Sequence, residues 1–503
     1  MDTLLLGSPP SATVELLRAA PWMDEAGRRT DQFELFDEAI LGTIRLLIVM
    51  TAADASARWF VPVPVDAPGL PADRTTAYHR LITEALRDGL RLRTQRGNLI
   101  EFRGAPAEFR ARLPFDPGWC SNALSLLDLG GSAHAHKTYR RIGIGTREPE
   151  LLRVMADSGR TQQPIGDYTY VDTSTGRRDP LGVVYRYAEG DGLYVPLQAG
   201  VRALWPLLRA GAEPEAAVAE SQRALRAPLR ATGRFLRAFH QDLAERLGPC
   251  PDFPAEGFLA ETLRQTAALR PRILADTRFP ATVRQAAVTG IERELERVAA
   301  LPSRPWPTGP CHGDLHLSHV LRHERADTSW RLCVIDLSTP CLDPADTGTA
   351  QSPWQDLAAL RRGLEIFTAD EFADQAASFL DMDPDDTCRM ALLLAADAAP
   401  DTPGWTPGRL AALDRMRAAG RLWAARASRL LTEEAETADA EDTVPSPRLP
   451  VPDDDHPAWR LFRLRRLLHE LDYAYAHDRA YHAAINLRHA VEAAGLPVAA
   501  AKD

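Results

Sequence analysis

The chain has 503 residues, 45% hydrophobic and 25% charged, which is enough for two or three lobes with ample cores. Its 59 Lys and Arg against 69 Asp and Glu give a formal net charge of -10, which argues against a nucleic-acid-wrapping protein with its basic stripe. The start MDTLLLGSPP has neither the basic region nor the apolar run of a signal peptide, and Ile44 to Met50 falls well short of the ~20 apolar residues of a membrane span.

In chain order, Phe33 to Val65 reads as two strands, FELFDEAILGTIRLLIVM and ARWFVPVPV, joined by the polar turn TAADAS. Thr75 to Asp88 has helical period. Trp119 to Tyr139 reads as a second hairpin, NALSLLDLG and AHAHKTYRR around the turn GGS. The helix EPELLRVMADSG follows, with Pro149 near its start and Gly159 past its end. Strands return at DYTYVDT and GVVYRYAEG. After Gly192, Ala/Arg/Leu-rich helical periodicity dominates, with late strand signals only beside CHGDLHLSHVL and in RLCVIDL. The acidic, Pro-rich stretch at about 432–457 reads as a loop or linker. A helix pair then closes the chain. The six cysteines form no CxxC pair, so reduced thiols and a cytoplasmic location are expected.

The densest chemistry lies in His312-Gly313-Asp314-Leu315-His316-Leu317-Ser318-His319, followed by Asp336 at the end of the apolar run LCVID. Phosphoryl transfer needs a carboxylate beside the incoming hydroxyl and oxygen ligands for the metal on the nucleotide phosphates. Asp314 suits the first task and Asp336 the second, with His312 ordering the loop. Three histidines beside an aspartate are also a transition-metal donor set. The absence of HExxH and a preceding strand favour the phosphotransfer reading.

This loop resembles the HGDxxxxN signature of the aminoglycoside-phosphotransferase-like branch of the protein-kinase fold, with His319 standing where most relatives have Asn or Gln. The resemblance implies ATP and Mg²⁺, the metal held by Asp336 and His319. It also implies a strand lysine for the α/β-phosphates, Lys137, paired with a helix glutamate, Glu150 or Glu148, of which Glu150 is carried forward. Ser121-Asn122 would form the phosphate turn, and Val184 and Tyr185 would meet adenine through their backbones. More specifically, the chain is similar to the maltokinase-like and amino-sugar kinase group. Trp22 with Gly27 to Arg29, KTYRR, the helix carrying His240, HGDLHLSHVLR and the terminal RRLLHELDYAYAHD all echo that group. Leu337-Ser338-Thr339 departs from its aromatic-Glu-Gly, and Asp343 or Asp346 is available to compensate or to face substrate. Asp356 would brace the catalytic loop.

In the last helix Glu470 and Tyr473 share a face, whereas Asp472 does not. With His316 and Asp343 they are the substrate candidates, and such acids would favour an amino sugar over maltose. The expected protein is an α+β bilobal kinase with a cap over residues 1–112, a nucleotide lobe over 113–195 and a helical C-lobe over 196–503. It would bind ATP and Mg²⁺ in its cleft and phosphorylate a small sugar, as a monomer or homodimer without nucleic-acid or membrane partners. An antibiotic phosphotransferase and a degenerate, non-catalytic homologue are the alternatives.

Overall fold

The computed structural model describes residues 6–23, 25–28, 30, 32–51, 58–118, 121–248, 250–324, 330–337, 351–398, 405–432, 452 and 454–495. The chain divides into two compact units, Met1–Glu189 with Cys333–Thr339, and Gly190–Leu332 with Pro340–Asp503. No described helix is long and apolar enough to cross a membrane. Cys311 and Cys388 are buried free thiols.

The first unit begins with helices α1 (Ser11–Ala19) and α2 (Glu25–Arg28) and strands β1 (Phe33–Leu41), β2 (Ile44–Thr51) and β3 (Arg58–Pro64). The run expected as one long strand is thus two. It turns at Gly42-Thr43, with Leu41 opposite Ile44 and Gly42 at a φ of 57°, a conformation glycine adopts without steric cost. TAADAS falls almost wholly outside the described residues. Because successive strand residues face opposite ways, this sheet is buried on both sides. Leu47, Val49, Trp59 and Val61 pack with Leu17 of α1, and Leu46, Ile48, Met50 and Phe60 join the other core.

Next come α3 (Thr76–Arg87), β4 (Arg91–Arg93), β5 (Leu99–Gly104), β6 (Phe109–Leu113), β7 (Ala123–Leu129), β8 (Ser132–Thr138) and β9 (Arg141–Ile142), all of which except β8 add to that core. Helix α4 (Glu148–Met155) and strands β10 (Pro164–Val171) and β11 (Arg178–Arg186) follow. The sheets run β1-β2-β3-β9 and β4-β5-β10-β11-β8-β7-β6. Strands from both sides of residue 112 therefore share the larger sheet. Strands β4 to β6 have no counterpart in the sequence reading, because short, half-exposed pieces such as RLR and FRARL carry little hydrophobic signal. Gly159 ends the α4 turn in the left-handed region, as its position predicted.

The second unit carries β12 (Asp191–Gly192), α5 (Tyr194–Arg209), α6 (Pro214–Ser221), α7 (Arg226–Leu247), α8 (Ala255–Ala275), α9 (Ala281–Ala300) and β13 (Val320–Glu324). The division between units falls within β14 (Trp330–Val334). Then come α10 (Pro353–Leu380), α11 (Pro384–Ala395), α12 (Pro407–Thr432), α13 (Pro457–Ala476) and α14 (Ala480–Gly495). Helix α10 is started by a full capping box between Ser352 and Gln355, with Pro353 at its first turn. Helices α7 and α12 cross so closely that a Cβ at Gly233 would lie 2.2 Å from the Leu431 carbonyl oxygen.

Candidate functional site

In the first unit, β8 carries Lys137 into a buried ionic cluster. Its ammonium lies 2.8 Å from Glu148 Oε2 and also contacts the Asp336 carboxylate. The glutamate partner is therefore Glu148 at the start of α4, not Glu150. Glu150 is half-exposed and pairs with Arg147 at 2.9 Å. The helix phase explains the difference, since Glu148 shares the buried side of α4 with Leu151, Leu152 and Met155. The Tyr139 hydroxyl donates to Glu148 Oε2 at 2.7 Å, while Oε1 is buried without a hydrogen-bond partner. Burial pushes the Glu148 carboxyl up, partly offset by Lys137. For Lys137 burial acts downward, but Glu148 and Asp336 outweigh it and hold its pKa well above the usual lysine value.

Asp336 sits two residues past β14, with a φ of 58° that aspartate tolerates better than most residues. Its segment is anchored by the Val334 N–H, which donates to the Arg160 carbonyl at 2.8 Å. Asn122 Oδ1 accepts the Arg140 N–H at 3.2 Å, tying the Ser121-Asn122 turn to the end of β8, and Ser121 is exposed. The Arg140 guanidinium stacks over Trp22 at 4.3 Å and pairs with buried Asp73 at 2.7 Å, so two of the singled-out sequence features meet. Val184 and Tyr185 do not offer spare backbone. They sit in β11 with partners on both sides, Gly166 and His136 for Val184, Pro164 and Ala135 for Tyr185. The Tyr187 N–H still serves the Ala133 carbonyl, which makes Ala188 and Glu189 the first residues past the sheet.

In the second unit, the described residues 302–319 contain no strand, so the strand beside the HGD loop follows it, as β13, and does not precede it. The loop is held by buried Asp356 of α10. Asp356 Oδ2 accepts the His312 N–H at 2.7 Å and His240 Nε2 of α7 at 2.8 Å, and Oδ1 accepts the Gly313 N–H at 2.9 Å. His312, fully buried, accepts the Asp314 N–H on Nδ1 at 3.2 Å. His319 Nδ1 donates to the Asp314 carbonyl at 2.9 Å, which places its lone pair on Nε2.

The Asp314 carboxylate is gripped at Oδ1 by His316 Nε2 and by Arg466 Nη1 of α13, each at 2.9 Å. Burial pushes this carboxyl up, but the His316 hydrogen bond and the charges of His316 and Arg466 hold it well below the usual carboxylate range. Arg466 also pairs with Glu470 one turn on, at 2.9 Å. Sequence reasoning missed Arg466, and the available signal was its spacing of four from Glu470 on one helix face. His316, Glu470 and Tyr473 line one cavity of about 360 Å³ together with Asp370, His482 and Asn486, none of which was singled out. Asp472 instead pairs with Arg272 at the surface. Asp343 and Asp346 lie outside the described residues.

As donors taken singly, the Asp336 carboxylate suits a hard cation and the His319 ring nitrogen suits it less, and among the described residues no three His, Cys, Asp or Glu side chains converge as a metal site. That observation also weakens a transition-metal site built on the three loop histidines. Residues 184–393 match the phosphotransferase enzyme family (APH). A glucosamine kinase structure (crystal form B) superposes with a TM-score of 0.54 at 18% identity, covering 95% of this chain and 98% of that one. A glucosamine kinase solved in complex with glucosamine, ADP and inorganic phosphate gives 0.51, with the same identity and coverage. The family match is thus carried by residues 184–393, while over 95% of the chain the mixed α/β architecture is similar in fold to these kinase structures.

Proposed function

We propose that the protein is an ATP- and Mg²⁺-dependent kinase that transfers the γ-phosphoryl group to a hydroxyl of a small sugar, with an amino sugar as the preferred acceptor. The observation that carries this reading is the grip on Asp314, whose partner His316 also lines the cavity holding Glu470, Tyr473 and Asp370. Asp314 would accept the acceptor hydroxyl's hydrogen bond and orient its oxygen toward the phosphoryl group. Glu470 and Asp370 give the cavity carboxylates that suit a substrate amine through charge-assisted hydrogen bonds. The glucosamine in the complex of the structurally similar kinase is consistent with that choice.

Lys137, oriented by Glu148, would hold the nucleotide's α/β-phosphates, with Ser121 and Asn122 as the turn above them. Backbone contact with adenine falls to Ala188 and Glu189, beyond β11. Asp336 and His319 would hold the metal, which when bound neutralises charge on the transferring phosphoryl group. The organisation proposed is a cap and nucleotide-binding part before about residue 195 and an acceptor-binding helical part after it.

The test is ADP release from ATP and Mg²⁺ across glucose, maltose, glucosamine, aminocyclitols and aminoglycosides, for wild type and Asp314→Asn. Turnover on glucosamine that disappears in Asp314→Asn is expected. Turnover on aminoglycosides alone would move the assignment to an antibiotic phosphotransferase. ATP binding with silence across the panel would favour a degenerate homologue, and wild-type rates in Asp314→Asn would overturn the role of Asp314.

A further inference from the structure

Two carboxylates line the acceptor cavity, Asp370 of α10 and Glu470 of α13. The helix period puts Asp370 there, because Ala359, Gly363, Ile366, Phe367 and Asp370 fall on one face of α10. Either acid has the charge to take a substrate amine. They differ in what already holds them.

Glu470 Oε1 lies 2.9 Å from Arg466 Nη2, and the arginine side chain is only 4% exposed. The same guanidinium holds Asp314 Oδ1 through Nη1 at 2.9 Å, and its Nη2 lies 3.1 Å from His316 Nε2. Buried Arg362 also lies within the field of Glu470. An amine drawn to Glu470 would compete with Arg466 for it, and a displaced Arg466 would loosen its hold on Asp314. The acceptor would then disturb the carboxylate that has to orient its hydroxyl.

Asp370 carries no such linkage. Its side chain is exposed, and it accepts a hydrogen bond from the Tyr481 hydroxyl of α14. Among the described residues it forms no ion pair. Nearby Arg202 is taken by Glu371 at 2.9 Å, and Asp374, one turn further along α10, adds a second acid. Arg479, the arginine of the cavity lining, is held over the Tyr473 ring at 5.0 Å and makes no ion pair with Asp370. An amine can therefore reach Asp370 without breaking an existing ion pair.

Position supports the same choice. Asp370 lies seven residues past Gly363, about 10 Å of helix rise, and Gly363 is where Leu317 of the HGD loop packs against α10. That separation leaves room for one sugar ring between a hydroxyl at Asp314 and an amine at Asp370, with a hydrogen bond of about 3 Å at each end.

We propose that Asp370 is the specificity-determining residue that takes the ammonium group of an amine-bearing acceptor, while Glu470 stays with Arg466. The proposal rests on the reading of this cavity as the acceptor site.

The test is calorimetric titration of the full chain with glucosamine and with glucose, which has a hydroxyl in place of the amine. It is run at about pH 6.5, where carboxylates are ionised and an amine of ordinary pKa is protonated. Wild type, Asp370→Asn and Glu470→Gln are compared, with ADP release measured in parallel. Asp370 is exposed, so asparagine there keeps the fold, which circular dichroism verifies. The ratio of two ligands on one variant also cancels any general loss of folded protein. We expect wild type to prefer glucosamine and Asp370→Asn to lose about 10- to 100-fold of that preference, the range for one hydrogen bond between charged groups. Glu470→Gln should keep the preference. A preference that survives in Asp370→Asn, a preference lost in Glu470→Gln instead, or no glucosamine preference in wild type overturns the proposal. ADP release answers for the kinase reading separately: no turnover, with the preference lost only in Asp370→Asn, removes that reading and leaves Asp370 as the partner of the amine.

Discussion

The Lys137–Glu148 pair makes a quantitative prediction, because both side chains are buried, 8% and 2% exposed. Lys137→Met removes the cation and leaves Glu148 charged in a dry site. Breaking a buried pair from one side costs about 3–5 kcal/mol, much of it the stranded charge. Adding Glu148→Gln removes that charge, so the double variant should lose less than the two single losses together, by about 1–3 kcal/mol. Glu150 lies on the exposed side with Arg147, where a pair is worth about 0–1 kcal/mol. Glu150→Gln should therefore add independently to Lys137→Met, within about 0.5 kcal/mol.

Urea unfolding followed by tryptophan fluorescence reads these values, provided m is unchanged across the set. The sign with pH is also fixed. Burial already raises the Glu148 pKa, and without Lys137 the folded protein takes up that proton more readily than the unfolded chain. The deficit of Lys137→Met relative to wild type should thus be smallest below about pH 4.5 and grow as pH rises. Coupling of Lys137 to Glu150 and not to Glu148, or a Lys137→Met cost below about 1 kcal/mol, would refute the reasoning.

Asp356→Asn retains one acceptor oxygen for three buried donors, so it should cost about 2–4 kcal/mol and expose the His312 and Gly313 amides to hydrogen exchange, with wild-type protection counting against the bracing role. His79 and His136 are buried side by side, Nδ1 to Nδ1 at 2.8 Å; burial lowers the pKa of His79 to about 3 and that of His136 well below normal. Both stay neutral when folded, so stability is full above about pH 6.5 and falls by about 1.4 kcal/mol per pH unit per histidine as acid is added. Urea midpoints that stay flat between pH 6.5 and 5, where carboxylates do not yet titrate, would contradict neutral burial.

Long, strongly patterned segments were legible, such as β7 and β8, α4 with Pro149 and Gly159, and α13, where helical spacing separated Glu470 and Tyr473 from Asp472. The Asp356 brace was also legible, but only through the family resemblance, since nothing local in SPWQDLAAL points to His312. What failed depended on tertiary context. Choosing between Glu148 and Glu150 required knowing which side of a two-turn helix is buried, and both sit in its first turn. Val184 and Tyr185 were expected to meet adenine through their backbones, but β11 is central, flanked by its hairpin partner β10 on one side and by β8 from earlier in the chain on the other. Arg466 could not be linked to Asp314 by pattern, since 152 residues separate them.

That link constrains the chemistry proposed for Asp314. Two donors on Oδ1 fix the carboxylate's direction but also lower its proton affinity, so orientation is gained at the expense of basicity. The two effects predict opposite results for Arg466→Met, which relaxes the orientation and makes the carboxylate more basic. A loose phosphoryl-transfer transition state leaves most negative charge on the phosphoryl oxygens and deprotonates the attacking hydroxyl late, so it asks for little basicity and much alignment. Misplacement of about 1 Å costs on the order of 100-fold. Steady-state kcat with the acceptor found by the substrate panel should therefore fall by about 10- to 100-fold in Arg466→Met. A rise in kcat would mean that proton abstraction limits the rate, and that the arginine restrains the aspartate where the alignment argument has it positioning the aspartate.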